Sequence, residues 1–358
     1  MPLRIQLDGD KAKACSFLGW AKSKLFMLKA NMKLLDIKQD RRVYALDGIK
    51  VWISSIFGDD LIRIEAESAF SIVVADTGNN RIQIFDANYN LTGKFGSYGT
   101  VHEPQKFWLP NEVSMSGDEI FIANKNQGWL DVYDLNGSYL RGRFENKYVQ
   151  DVATGDGKIA VSEAEIGFPI FVYVYDNNLN QIALITKEPD TDEGLGGLAI
   201  GGGYLFVAVN QNSGANAKCL RIYSLDNFSL VKTINTGGGP HIHYDGGAFY
   251  DGKYYGVQIG MSGGLKIDVF ENLAYKETFT DTANFQVSPS QLSARGIAVT
   301  KDGIFVTVLG QGDHAVFPNP SRDKVYRYDL AGNFVSSFGG SGSGDKQFVN
   351  PWGITVRA

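Results

Sequence analysis

The strongest constraint on this chain is a short pattern that recurs six times. Apolar and polar residues alternate, and an aromatic residue is then followed by an acid or, in one weaker copy, by serine. It reads Ile82-Gln83-Ile84-Phe85-Asp86, Leu130-Asp131-Val132-Tyr133-Asp134 and Val172-Tyr173-Val174-Tyr175-Asp176. The other copies are Leu220-Arg221-Ile222-Tyr223-Ser224, Ile267-Asp268-Val269-Phe270-Glu271 and Val325-Tyr326-Arg327-Tyr328-Asp329. Asp86 and Asp329 lie 243 positions apart, a mean period of about 49. A period of that size marks a repeat architecture, which decides the fold before local propensity does.

Each copy has the same neighbours. An apolar segment precedes it, at 72–75, 120–123, 159–162, 205–209, 254–258 and 304–308. A turn with Asn, Asp or Gly follows it, then a further alternating segment such as 91–95, 139–144 or 334–338. Earlier still lies a small-residue segment, at 112–115, 151–154, 197–200, 247–250 and 296–300. Period-two alternation bounded by turn residues means strands, and four strands per repeat predicts a β-propeller blade. The first repeat lacks its opening strand, and the run Pro351-Trp352-Gly353-Ile354-Thr355-Val356 supplies one. Residues 67–358 therefore read as an all-β six-bladed propeller whose C-terminal strand closes blade one. Composition agrees: 42 glycines, about 12 per cent against a usual level of roughly 7, stand beside 44 aromatic residues.

The residues that close the ring also carry a family resemblance. Ala75 to Asp86, followed by Gly93-Lys94-Phe95-Gly96, resembles an NHL repeat, and so do the runs from Gln347 to Val356 and from Leu292 to Gly339. In blades three to five only the strand pattern survives. The resemblance implies a six-bladed propeller used mostly for binding and in some members for lyase or lactonase chemistry. It fixes no function by itself.

Residues 1–66 are not a blade. They read as a small α+β unit, with a helix over 11–35 and strands at 42–46, 49–56 and 61–65. Leu18, Ala21, Leu25, Leu28, Met32 and Leu35 follow spacings of three and four, an a/d seam that either packs on its own sheet or docks to another subunit. Six lysines and no acid lie between Lys11 and Leu35. The unit holds 12 Lys and Arg against 8 Asp and Glu, so of the net charge of −5 the remaining residues carry −9. It loosely resembles the small attachment domains of tailed-phage virion proteins. The resemblance implies protein partners through residues 1–66, in a homo-oligomer or a larger assembly such as a virion. The acidic body disfavours nucleic acid. No run approaches the roughly 20 apolar residues of a membrane helix, and no apolar segment of signal-peptide length opens the chain, so the expectation is synthesis in the cytoplasm without a membrane partner. Cys15 and Cys219 imply no disulfide framework.

No Walker loop, zinc-protease helix or Cys-x-x-Cys pair is present. If each first strand runs down the central channel, the interblade connections and the second-to-third-strand loops share one rim. That rim then holds all four histidines, His102, His241, His243 and His314, together with Trp108, Trp129 and Trp352, and suits a protein or carbohydrate ligand. Alignment of the first strands sets Glu112 and Asp151 against Gly197, Gly247, Gly296 and Gly353, after Asn111, Gln150, Gly196, Gly246, Arg295 and Trp352. Two neighbouring acids near the axis fit an ion pair with Arg295, a divalent cation such as Ca²⁺, or an acid–base pair. No other cofactor is expected. The leading expectation is a non-enzymatic binding protein presenting one rim, and the alternative is a metal-dependent lactonase or lyase.

Overall fold

A computed structural model divides the chain into two compact units, residues 1–70 with 358, and residues 71–357. It describes 33–38, 41–46, 49–55, 62–68 and 70–357, the latter except 146–147, 164–169, 188–192, 212–217, 236–243, 260–263, 286–291 and 311–321.

In the first unit, Lys33–Lys38, Arg41–Leu46, Ile49–Ser55 and Ile62–Ser68 form one antiparallel sheet in chain order. The last three follow the expected strands. The first corrects the expected helix over 11–35, because positions 33–35 belong to a strand instead. Lys38 pairs with Arg41 across a two-residue connection, so a hairpin takes up the backbone groups that a helix would have paired internally. Leu35 thus leaves the a/d seam. Leu18, Leu25, Leu28 and Met32 lie outside the described residues, as does Cys15.

Among the described residues the second unit holds six four-stranded antiparallel sheets, five of them in chain order. Blade two, for example, comprises Pro110–Ser116, Glu119–Asn124, Trp129–Asp134 and Tyr139–Phe144. Blade one is assembled from both ends of the unit. Pro351–Arg357 pairs antiparallel with Ser71–Asp76, which leads on to Arg81–Phe85 and Leu91–Phe95.

The core lies between blades. Val73, Ile82, Ile84 and Phe95 of blade one pack with Val113, Ile120, Ile122 and Tyr133 of blade two. The same pattern joins each further consecutive pair up to blades five and six. A sheet sandwiched in this way buries both faces, which is why the second strands are almost wholly apolar. The recurrent aromatic fills the gap between neighbours and its hydroxyl reaches across it. Tyr175 donates to Glu145 at 2.6 Å, and Tyr328 donates to Asp281 at 2.9 Å.

The recurrent acid serves a different purpose. Asp86 Oδ1 accepts from the amides of Asn88 and Asn90. Asp134, Asp176 and Asp329 repeat the arrangement at the same offsets. Each acid organises the turn into the fourth strand as an Asx motif. The weaker copies differ for a reason. Ser224 uses its hydroxyl for the Asp226 amide, and blade five replaces the turn with the tighter Glu271–Ala274 hairpin.

Ring closure rests on Asp76, which is fully buried. Its carboxylate accepts from Arg81 Nε at 2.7 Å, Gln83 Nε2 at 3.0 Å, Asn79 Nδ2 at 2.9 Å and the Val349 amide at 2.8 Å. Arg81 then donates to the carbonyls of Ser343, Gly344 and Gln347, just ahead of the closing strand. In the turn that follows Asp76, Asn80 carries the left-handed φ of 53°. Gly78 is needed for closeness instead, since a Cβ there would lie 2.7 Å from the Val349 carbonyl oxygen.

Asp76→Ala leaves the buried Arg81 guanidinium without its carboxylate and removes one of the two acceptors of Gln83 Nε2. It is expected to cost on the order of 3–5 kcal/mol in urea unfolding. Asp86→Ala, at a more exposed turn, should cost about 1 kcal/mol. Equal losses at the two sites would remove Asp76 as the closing element.

Candidate functional site

The six first strands converge on the axis, and their register sets what faces it. Counted four residues back from the inner hairpin pairs Ser116–Glu119, Gly155–Lys158, Gly201–Tyr204, Tyr250–Lys253, Thr300–Gly303 and Arg357–Ser71, one layer contains Glu112, Asp151, Gly197, Gly246, Gly296 and Gly353. This corrects the sequence alignment in blade five, where Gly246 and not Gly247 holds the position. The other five first strands carry a register shift at this level, and Gly246–Tyr250 runs straight. The layer above is accordingly Asn111, Gln150, Gly196, Asp245, Arg295 and Trp352. Asp245 escaped the sequence reading because alignment by small residues cannot see a missing bulge.

Glycine is needed in the lower layer because each blade meets the next there backbone to backbone. A Cβ on Gly296 would lie 2.5 Å from the Trp352 carbonyl oxygen, and one on Gly353 would lie 2.6 Å from Glu112 Cα. The two acids fit by turning along the ring. Glu112 Oε1 accepts from the Ile354 amide of blade one at 3.2 Å. Asp151 Oδ2 accepts from the Leu198 amide of blade four at 2.7 Å.

Below this layer the channel widens into a cavity of about 200 Å³, with Glu112 and Asp151 at one end and residues such as Met115, Leu198, Ile297 and Val356 on its wall. Enclosure by protein raises both carboxyl pKa values. Burial lifts Glu112 well above the usual range, and the neighbouring Asp151 charge adds to it. Burial lifts Asp151 to about 7, against the opposing amides of Leu198 and Val152. No lysine or arginine pairs with either acid among the described residues. The expected neutralisation by Arg295 is therefore corrected: Arg295 Nη1 lies 2.8 Å from Asp245 Oδ1. The Tyr254 hydroxyl is buried beside Gly247 with no hydrogen-bond partner among the described residues.

The upper layer forms the channel mouth. Asn111 Nδ2 donates to the Gln150 carbonyl at 2.9 Å, which ties blades two and three. The Arg295 guanidinium sits 4.6 Å from the centroid of the Trp352 ring. The Lys125 ammonium, from the loop between the second and third strands of blade two, sits 5.1 Å from the same ring. Burial, and then the charge of Arg295, lower the Lys125 pKa. Sequence reading missed Lys125 because its loop is remote from blade one in the chain.

The other rim candidates fall differently. His102 stacks on Trp129 at a centroid distance of 3.6 Å, and its Nε2 lies 2.8 Å from Asp131 Oδ1. It braces the link between blades one and two and does not touch the mouth residues. His241, His243 and His314 lie outside the described residues, and no cluster of three or more His, Cys, Asp or Glu suited to a metal occurs among the described ones.

Two consequences are measurable. Gly296→Ala and Gly353→Ala are each expected to cost about 1–3 kcal/mol by overpacking the axis, read from chemical denaturation. A Gly353→Ala protein of unchanged stability would show that the blades do not meet there. The second concerns pH. Folded Asp151 holds its proton more tightly than the unfolded chain, so stability is full below its ordinary value of 3.8 and declines as pH rises towards about 7. Asp151→Asn should flatten that decline and raise the melting temperature at pH 8 by a few degrees. A variant less stable than the parent at pH 8 would contradict the assignment.

No family model matches the chain. Over 116 residues it is 30% identical to the Drosophila melanogaster protein brain tumor, a match covering 30% of this chain and 11% of that protein. The chain thus matches about a tenth of that relative's length. Among solved structures, a functionally unknown protein from Desulfotomaculum acetoxidans DSM 771 aligns with 81% of this chain and 99% of its own, at 12% identity and a TM-score of 0.48. A protein of unknown function from Bacteroides caccae aligns with 81% of this chain and 99% of its own, at 16% identity and a TM-score of 0.56. At that identity the likeness to the Bacteroides caccae protein is one of fold alone.

Proposed function

We propose that this protein is a non-enzymatic binding propeller that presents its channel-mouth rim to a ligand and is attached to a larger assembly through its N-terminal unit. The observation that carries the reading is the mouth itself. Trp352, Arg295 and Lys125, from three different blades, meet over one indole ring at the point where the six blades converge. An aromatic face with charged groups around it is a recognition surface of the kind that anchors protein or carbohydrate ligands. The groups form no nucleophile–base pair, and the acids beneath them are tied to backbone amides of neighbouring blades.

The attachment half of the reading rests on charge. A unit of net +4 over residues 1–66 precedes a body of net −9. That split suits one end for an acidic protein partner and disfavours RNA or DNA on the body. A virion appendage is its concrete form, carried over from the resemblance of residues 1–66 to tailed-phage attachment domains.

Glu112 and Asp151 favour a second reading. Two neighbouring carboxylates at the end of a cavity, with no cationic side chain beside them among the described residues, have the oxygen chemistry of a divalent-cation site such as one for Ca²⁺. A lactonase or lyase would build on that cation.

Glu112→Ala combined with Asp151→Ala should leave ligand capture at the rim and assembly unchanged. Metal analysis of the purified parent that finds one cation per chain, lost in the double variant, would shift the conclusion to the second reading. Deleting residues 1–66 should leave a folded propeller that no longer assembles, as measured by light scattering. An oligomer of unchanged mass would remove the attachment role.

A further inference from the structure

The mouth carries an imbalance that its aromatic floor does not explain. Among the described residues three charged side chains approach it, Lys125, Arg295 and Asp245, and only two of them are matched. Arg295 Nη1 bonds to Asp245 at 2.8 Å, while its Nε is buried without a hydrogen-bond partner. Lys125 lies over the same indole, close enough to Arg295 for the two charges to repel, and no carboxylate pairs with it among the described residues. A partly buried ammonium beside a guanidinium is costly unless something negative joins them. Neither Glu112 nor Asp151 does so, for their oxygens turn along the ring to the amides of Ile354 and Leu198.

We infer that the channel mouth is an oxyanion-binding site, in which a carboxylate or phosphate of a small ligand bridges Lys125 and Arg295 while the body of the ligand lies against Trp352. Several features of the mouth fit such a ligand. The Arg295 fork keeps donors that Asp245 does not use, and a planar guanidinium takes oxyanions through paired N–H groups. Lys125 adds a compact charge from blade two, and Trp352 offers an apolar face. The carboxyls of Glu112 and Asp151 stand one layer deeper, so an anion is favoured at the mouth over the channel below. The inference rests on the rim-binding reading and names the class of ligand for it.

The test is calorimetric titration of the full chain with glucuronate, glucose 6-phosphate and neutral glucose. Glucuronate or glucose 6-phosphate should bind, glucose should not, and the preferred probe tells carboxylate from phosphate. Lys125→Met is expected to weaken the better probe about tenfold or more, the usual worth of a hydrogen bond between charged groups. Lys125→Arg should retain most of the affinity, which separates lost charge from a damaged fold, and circular dichroism checks the fold of both. In the parent, carbon-13 NMR of the lysine side chains should show the Lys125 pKa rising when the anion binds. If neither anion binds at 10 mM in low salt, or Lys125→Met binds as tightly as the parent, the inference fails. A neutral glycan captured on an array through Trp352, with capture lost in Trp352→Ala and kept in Lys125→Met, would overturn the anion while leaving rim binding intact.

Discussion

Everything in the propeller depends on one non-covalent seam. Five blades are continuous in the chain, and the sixth exists only because Pro351–Arg357 pairs with Ser71–Asp76. A ring closed in this way leaves only the short edges of each blade, and no blade can relax outward without opening the seam. The latch therefore uses directional groups in place of more apolar area. Asp76 gathers donors from its own turn, from the next strand and from the Val349 amide, while Arg81 ties the approach to the closing strand. Burial raises the Asp76 pKa, and the surrounding donors act to lower it again. A hydrophobic contact would hold the strand equally well but would not fix its register; four donors on one carboxylate do.

Closure sets the crowding at the axis, and crowding sets the chemistry there. Six first strands leave no room for side chains at the layer of Gly197, Gly246, Gly296 and Gly353. Blades two and three depart from glycine, and they do so with carboxylates that reach backbone amides of adjoining blades. The acids therefore act in part as structural links between blades, in the way that backbone contacts link the others. Their raised pKa values follow from this position, since amides satisfy some lone pairs without supplying a full opposing charge.

The fold was legible in the sequence because blades repeat. The aromatic–acid pair marked every third strand, and the vacant slot in blade one identified the closing strand from pattern alone. Two physical reasons for that pattern emerge only in three dimensions: the aromatic spans the gap to a neighbouring blade, as Tyr175 does to Glu145, and the acid caps a turn, as Asp86 does. The site was legible in part. Glu112, Asp151, Asn111, Gln150, Arg295 and Trp352 do line the axis, because counting residues along equivalent strands tracks depth in the channel. Counting failed in blade five, where the absent register shift hid Asp245. It also could not find Lys125, which reaches the mouth from a loop more than 200 positions from Trp352, a contact that ring closure alone creates.

The axis is therefore polarised along its length. Lys125 and Arg295, offset by one Asp245, hold the mouth; the carboxyls of Glu112 and Asp151 lie one layer deeper; a partly open cavity with a mainly polar exposed lining follows. An anion drawn to the mouth gains from the first layer and loses on approach to the second, most of all above pH 7, where Asp151 is charged. A cation meets the reverse order when it approaches from the mouth. Opposite charges stacked at successive depths make a poor conduit for either sign and agree with the proposed reading, in which a ligand stays at the rim. Because the two layers differ by a single residue along each strand, the same register that closes the ring also decides which charge a ligand encounters first.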